Sequence, residues 1–107
     1  MKLKIKATNI TLTPQLKAYV EHKATMLAKY YVGIIGIEAE VDLTSHHHRQ
    51  GKIYRAEFNV AVPGKLLRVE KTAEDIFKAV DKVKEHMALE LKKYKEKLID
   101  KRRRVKK

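Results

Sequence analysis

The chain has 107 residues, no cysteine and a formal net charge of +12. This length fits a single domain. The lack of cysteine excludes disulfides, zinc–thiolate sites and thiol catalysis, and no apolar run approaches the ~20 residues of a membrane span. Because solubility needs a net charge of only roughly 2–8, the excess favours a polyanionic partner, with nucleic acid before an anionic membrane surface. No secretory leader is visible, so a cytoplasmic location is expected.

The positive charge is concentrated at the two ends of the chain. Residues 1–35 carry a net charge of +5, residues 36–91 carry −1, and residues 92–107 carry +8. If the two ends meet in the fold, they form one continuous positive face, which an evenly spread excess would not do.

A strand followed by a helix is predicted in the first third of the chain. Residues 2–7 alternate lysine with apolar side chains, which is typical of a half-buried strand. Thr13 can cap a helix whose first position is Pro14. Apolar residues then recur at helical spacing, which predicts a helix over about 14–30 that ends before Gly33.

Three strands and a long helix follow. Alternation predicts strands over 37–44 and 54–62 and another from Leu67, with a polar loop over 45–51 and a turn at 63–64. Thr72 resembles the start of a capping box. The second helix is predicted over 73–98, with a frayed tail from Asp100.

This order of elements predicts an α+β fold of two layers, β-α-β-β-β-α. The first crossover makes strands one and two parallel, while the short turns make the later pairs antiparallel. Both helices should cover one face of a mixed four-stranded sheet, as in double-stranded RNA-binding domains. We expect one domain over residues 1–100 and a basic C-terminal tail over 101–107.

Catalytic and metal-binding patterns are weak. His46–His48 are the only residues that resemble a metal site, but adjacent histidines in one loop lack ligands from converging elements. Glu38, Glu40 and Asp42 share one strand face, which indicates a solvated face rather than acid–base chemistry. We therefore expect neither an enzyme nor a cofactor, metal or small-molecule substrate.

The basic run around the end of the second helix indicates nucleic-acid binding. One or two cations would suit a helix C-terminus, but this run contains eight: Lys92, Lys93, Lys95, Lys97, Lys101, Arg102, Arg103 and Arg104. Many cations on one surface favour phosphate contacts through counterion release. The sequence lacks the patterns of DNA-binding motifs and of RNA-recognition sheets, so a folded RNA is the favoured ligand.

Several segments resemble the ribosome hibernation-promoting factors, also called ribosome-associated inhibitors. They are residues 9–14, leading into Leu16 and 19–23, then 54–58, 63–67, 74–81 and 91–98. The strongest is Glu-Asp-Ile-Phe-Lys-Ala-Val-Asp at 74–81, which is similar to the family's opening of the second helix. The resemblance covers nearly the whole chain, and the order and spacing of its motifs are more specific than any single motif.

The resemblance implies a protein that occupies the small ribosomal subunit between head and body, where it overlaps the sites of messenger RNA and transfer-RNA anticodons. Silencing is then steric, needs no cofactor, and involves a protein that is monomeric when free. Long members of the family carry a further domain that dimerises ribosomes. The alternatives are a general module for double-stranded or structured RNA and a structural component of the ribosome or its assembly.

The family's basic positions map onto this chain one by one. Implied contacts to ribosomal RNA are Lys23, Lys93, Lys95, Lys97, Lys101 and Arg102, and the predicted set also includes Lys82, Lys92, Arg103 and Arg104. Three positions depart from the family, since His86, Leu89 and Met26 stand where basic residues are frequent. The middle of the implied interface is therefore weaker here, and the basic tail is expected to offset this.

Overall fold

The computed structural model describes residues 1–47 and 51–105, with side chains described for 1–44 and 51–102. Its strands are β1 (Lys2–Thr8), β2 (Gly36–His47), β3 (Gly51–Val62) and β4 (Lys65–Ala73), and its helices are α1 (Pro14–Met26) and α2 (Ile76–Val105). A short 3₁₀ helix, Leu27–Lys29, follows α1. This order confirms the predicted fold class.

The four strands form one sheet in the order β1-β2-β3-β4. β1 and β2 are parallel, and the other two pairs are antiparallel, as the sequence predicts. Alternation decides which side chains face the helices: in β3, Ala56, Phe58 and Val60 are fully buried, whereas Arg55 projects from the opposite face. The core therefore lies between the sheet and the two helices.

The start of α1 follows the prediction and its end does not. The backbone N–H of Leu16 donates to Oγ1 of Thr13 over 3.1 Å, which confirms the predicted cap. The α-helix gives way to 3₁₀ geometry at Leu27, before the predicted end near residue 30, and the N–H of Tyr30 bonds to the carbonyl oxygen of Leu27. Such a tightened last turn is common at helix C-termini.

Both predicted limits of α2 are wrong. Thr72 lies in β4, and the cap is Asp75, whose Oδ1 accepts from the N–H of Phe77 over 2.7 Å. The helix continues to Val105 rather than ending at 98, because Lys, Arg, Glu and Leu are good helix formers that need no packing partner to extend a stable helix. Residues 101–105, assigned to a frayed tail, are thus helical, and 106–107 lie outside the described residues.

The predicted loop over 45–51 is wrong at both ends. β2 continues to His47, which is opposite Gly51 in β3, with a shift of register between Leu43 and Ser45. Backbone pairing in a hairpin does not require apolar side chains, so the polar composition of these residues wrongly predicted a loop. The side chains of His46 and His47, and all of His48, lie outside the described residues.

Candidate nucleic-acid interface

The far half of α2 projects beyond the sheet. Its 30 residues rise about 45 Å along the helix axis, in a molecule that measures 60 × 28 × 18 Å. Among the described side chains of α2, Tyr94 is the last that is buried, and Leu98 is the last that packs against the core. The hydroxyl of Tyr94 donates to the carbonyl oxygen of Pro63 over 2.6 Å, and the Tyr94 ring meets that of Tyr31 edge-on. This anchor fixes the direction in which the remaining turns extend.

The turns beyond Tyr94 expose cations without neutralising them. Lys95, Lys97, Lys101 and Arg102 are exposed. Within the part of the chain whose side chains are described, none of these four forms an ion pair with a carboxylate. The side chains of Arg103 and Arg104 lie outside that part. These cations lie on more than one side of α2, and such a cluster on a helix that leaves the body of the domain suits contact with a phosphate backbone.

Lys23 is held in the contact between α1 and α2. Its Nζ lies 3.3 Å from Oδ1 of Asp81 and 5.3 Å from the centre of the Tyr19 ring. Only 23% of the side chain is exposed. The carboxylate therefore offsets much of the charge that Lys23 can offer to a ligand.

Lys82 and Lys93 are also engaged within the protein. Nζ of Lys82 donates to the carbonyl oxygen of Thr72 in β4 over 3.3 Å. Nζ of Lys93 lies 3.4 Å from Oε2 of Glu90. Both lysines remain exposed, so these contacts orient them without removing them from solvent, and exposed ion pairs of this kind are weak.

Tyr30 contacts two lysines of α2. Nζ of Lys84 lies 5.8 Å from the centre of the Tyr30 ring, and Nζ of Lys92 lies 5.5 Å from it. Both distances fall within the range of cation–π attraction. Lys92 belongs to the predicted set, whereas Lys84 and Tyr30 were missed, because only the packing of the 3₁₀ segment against α2 brings them together.

The positions of α2 that depart from the family, His86 and Leu89, interrupt the basic surface of the helix. Leu89 is 55% exposed, and Nε2 of His86 lies 4.0 Å from Oε2 of Glu90. His86 and Leu89 line a shallow groove between α2 and β4, together with Glu70, Lys71, Thr72, Lys82 and Glu85. This flank is therefore less basic than the resemblance implies.

The N-terminal lysines do not join the helices in a continuous positive face. Leu3 and Ile5 pack against the core, so Lys2, Lys4 and Lys6 project from the opposite face of the sheet. Of the six lysines in residues 1–35, the other three lie on the helical side: Lys17 and Lys23 in α1, and Lys29 in the 3₁₀ helix. The expected single face is thus divided by the sheet.

An ion-pair network occupies the face of the sheet opposite the helices. Arg55, 16% exposed, contacts Glu40, Asp42, Glu57 and Glu70. Burial disfavours the charged form of Arg55, but hydrogen bonds to Glu40 and Glu57 outweigh it and raise its pKa. Glu40 and Asp42, interpreted from the sequence as a solvated face, are half-buried members of this network. In this network, one arginine is surrounded by four carboxylates, which offset its positive charge on this face of the sheet.

No group of three or more histidine, cysteine, aspartate or glutamate residues suited to a metal ion occurs among the residues that the structure describes. Over the same ranges, no helix is both long and apolar enough to cross a membrane.

The fold and this surface define a two-layer α+β domain whose helical side is basic and extended by a projecting helix. The sequence matches the family described as Sigma 54 modulation protein / S30EA ribosomal protein over residues 3–99. The chain belongs to this family, which confirms the resemblance noted in the sequence.

Curated relatives carry the name ribosome hibernation promotion factor. That of Lactococcus lactis subsp. cremoris is 31% identical over 97 residues, which are 89% of this chain and 50% of the relative. That of Picosynechococcus is 30% identical over 106 residues, which are 98% of this chain and 54% of the relative. The chain thus spans about half the length of these relatives. They are hibernation factors, a non-enzymatic class, in agreement with the expectation that the chain is not an enzyme.

Solved structures share the fold. The N-terminal domain of Thermus thermophilus Protein Y superposes with a TM-score of 0.75 at 28% identity, covering 88% of this chain and 99% of that chain. A ribosomal subunit interface protein from Coxiella burnetii superposes with a TM-score of 0.78 at 20% identity, covering 89% of this chain and 98% of that chain. The latter similarity concerns the fold alone.

Proposed function

We propose that this chain binds the small ribosomal subunit through ribosomal RNA, occupies the channel of messenger RNA and transfer RNA, and so blocks translation under stress. It acts in the cytoplasm, as a monomer when free, and needs no cofactor. The relatives' names support a role at the ribosome. The observation that carries the proposal is the cluster of exposed cations on the projecting part of α2, none of which forms an ion pair among the described side chains.

The mechanism is occlusion rather than catalysis. A rigid helix anchored at Tyr94 carries its cations at fixed spacing, so little order has to be gained when it meets a phosphate backbone. The bound domain then excludes messenger RNA and anticodons by its volume. The binding free energy comes largely from counterion release and falls as salt rises.

Co-sedimentation with purified small ribosomal subunits across a salt series tests the proposal. The variant K95Q/K97Q removes two unpaired cations from α2, while K2Q/K4Q removes the same charge from the opposite face of the sheet. We expect salt-sensitive binding by the wild type, a loss in K95Q/K97Q and little change in K2Q/K4Q. In a translation extract, the wild type and K2Q/K4Q should inhibit protein synthesis more strongly than K95Q/K97Q.

Two outcomes contradict the proposal. Equal losses in both variants would mean that net charge, and not the helical face, controls binding. Retention on a plain RNA duplex without binding to subunits would instead indicate a general module for structured RNA, the alternative that the fold also accommodates.

A further inference from the structure

Two lysines of α2 share one aromatic ring. Lys84 and Lys92 are eight residues apart, so their Cα atoms are separated by about 12 Å along the axis and lie on one side of the helix. Ala88 lies between them at intervals of four residues and is 6% exposed. Ala88 belongs to the buried cluster against which Tyr30 packs, and the two ammonium groups approach the Tyr30 ring.

No carboxylate among the described side chains neutralises this pair. Among the residues with described side chains, neither Lys84 nor Lys92 forms an ion pair, whereas Lys23 pairs with Asp81 and Lys93 with Glu90. The ring attracts both cations through its quadrupole but leaves their formal charge intact. Lys92 is exposed and Lys84 is half-buried, so the pair concentrates positive charge that an anion can reach from the solvent side.

The pair faces a different direction from the basic positions that the family resemblance supplies. Lys84 and Lys93 are nine residues apart, which is two and a half helical turns, so they lie on opposite sides of α2. The flank that carries Lys93 also carries His86 and borders the groove, in which Glu70 and Glu85 lie beside Lys71 and Lys82 and offset their charge. The flank facing α1 carries Lys84 and Lys92, whose ammonium groups both approach the Tyr30 ring.

We propose that Tyr30 holds Lys84 and Lys92 as a two-cation clamp for the phosphodiester backbone of RNA, on the flank of α2 that faces α1. Tyr30 is a positioning residue, and the two lysines make the phosphate contacts. The clamp deepens the proposed function, on which it rests, by giving the middle of α2 a second line of contact. It supplies there the positive charge that His86 and Leu89 do not.

The clamp is tested by measuring how tightly the variant K84Q/K92Q binds RNA. The control is K2Q/K4Q, which loses the same number of positive charges. Two probes are used, purified small ribosomal subunits and a plain RNA duplex, each across a salt series. We expect K84Q/K92Q to bind subunits roughly tenfold more weakly and to reduce the slope of log affinity against log salt by about 2. A loss no greater than that of K2Q/K4Q overturns the proposal.

Variants of Tyr30 separate positioning from simple packing. Y30F keeps the ring and should bind like the wild type, whereas Y30L removes the ring and should weaken binding several-fold. In the K84Q/K92Q background, Y30L should have no further effect, because the cations that the ring positions are already absent. Equal losses from Y30L in both backgrounds would overturn the positioning role, and thermal unfolding followed by circular dichroism would reveal a misfolded variant.

The two probes keep the clamp and the ribosomal proposal distinguishable. If the wild type binds the duplex and not the subunits, the ribosomal function fails while the K84Q/K92Q comparison on the duplex still decides the clamp. If the wild type binds subunits and K84Q/K92Q matches K2Q/K4Q, the clamp fails and the ribosomal function stands. Binding to neither probe overturns both.

Discussion

The hydroxyl of Tyr19 on α1 donates a 2.6 Å hydrogen bond to Oδ1 of Asp81 on α2. The same carboxylate oxygen lies 3.3 Å from Nζ of Lys23, and the Tyr19 ring meets Phe77 edge-on at 5.0 Å. Asp81 therefore joins the two helices and also neutralises a cation on the proposed RNA-binding side. The charged carboxylate stabilises the contact between the helices, but it weakens the attraction of Lys23 for RNA.

Replacing Asp81 by asparagine should separate these two effects. In D81N, Lys23 loses its carboxylate partner, so we expect a several-fold gain in RNA affinity and a salt slope steeper by about 1. The free energy of unfolding should fall by about 1–2 kcal/mol, because charge-assisted hydrogen bonds are lost. The control D100N removes one exposed carboxylate from the same helix. Weaker RNA binding by D81N than by D100N would contradict the competition between Asp81 and RNA for Lys23.

The hydrogen bond to Asp81, followed by burial, raises the pKa of Tyr19 from 10.0 to about 12. A tyrosine with a raised pKa in the folded state stabilises the fold fully below its unfolded pKa, and that contribution is lost as pH rises from 10 to 12. Y19F should lower the free energy of unfolding by about 1 kcal/mol at pH ~8. The difference from the wild type should shrink above pH 10, measured by urea unfolding. A difference that is constant to pH ~11 would contradict this assignment.

The order of strands and helices was accessible from the sequence, because alternation and helical spacing report which side chains face the core. The Tyr30 contacts were not, since they join residues that lie far apart in the sequence. The Arg55 network depends on strand register: Asp42 and Arg55 are direct partners across β2 and β3. That register can be derived only when the length of the hairpin is known. The polar residues at 45–51 predicted a loop, so the length of the hairpin was not predictable.

The Arg55 network makes stability depend on acid through Glu57. Burial opposes ionisation of Glu57, but hydrogen bonds from Asn59, Arg68 and Arg55 outweigh it and lower its pKa below 4.5. A carboxyl with a lowered pKa stabilises the fold above its unfolded pKa, and this contribution is lost as pH falls from 4.5 through the folded value. Urea unfolding between pH ~7 and ~3 should therefore show the wild type losing more stability than E57Q.

At pH ~7, E57Q should be less stable than the wild type by about 1–2 kcal/mol, because charge-assisted hydrogen bonds to Arg55 and Arg68 are weakened. The control E74Q breaks the exposed pair with Lys78 and should cost less than about 0.5 kcal/mol. If the wild type and E57Q lose stability in parallel as the pH falls, Glu57 does not cause the acid dependence, and other carboxylates do.

Deleting residues 101–107 should affect binding far more than folding. The segment contains six of the chain's 25 basic residues, whereas the last side chain of α2 that packs against the core, among those described, is Leu98. The free energy of unfolding should therefore change by less than about 0.5 kcal/mol. Affinity for small ribosomal subunits should fall and its salt slope should decrease, because several phosphate contacts are lost together. Undiminished affinity would mean that the end of α2 does not offset the departures at His86 and Leu89, and the contacts would then lie nearer the middle of the helix.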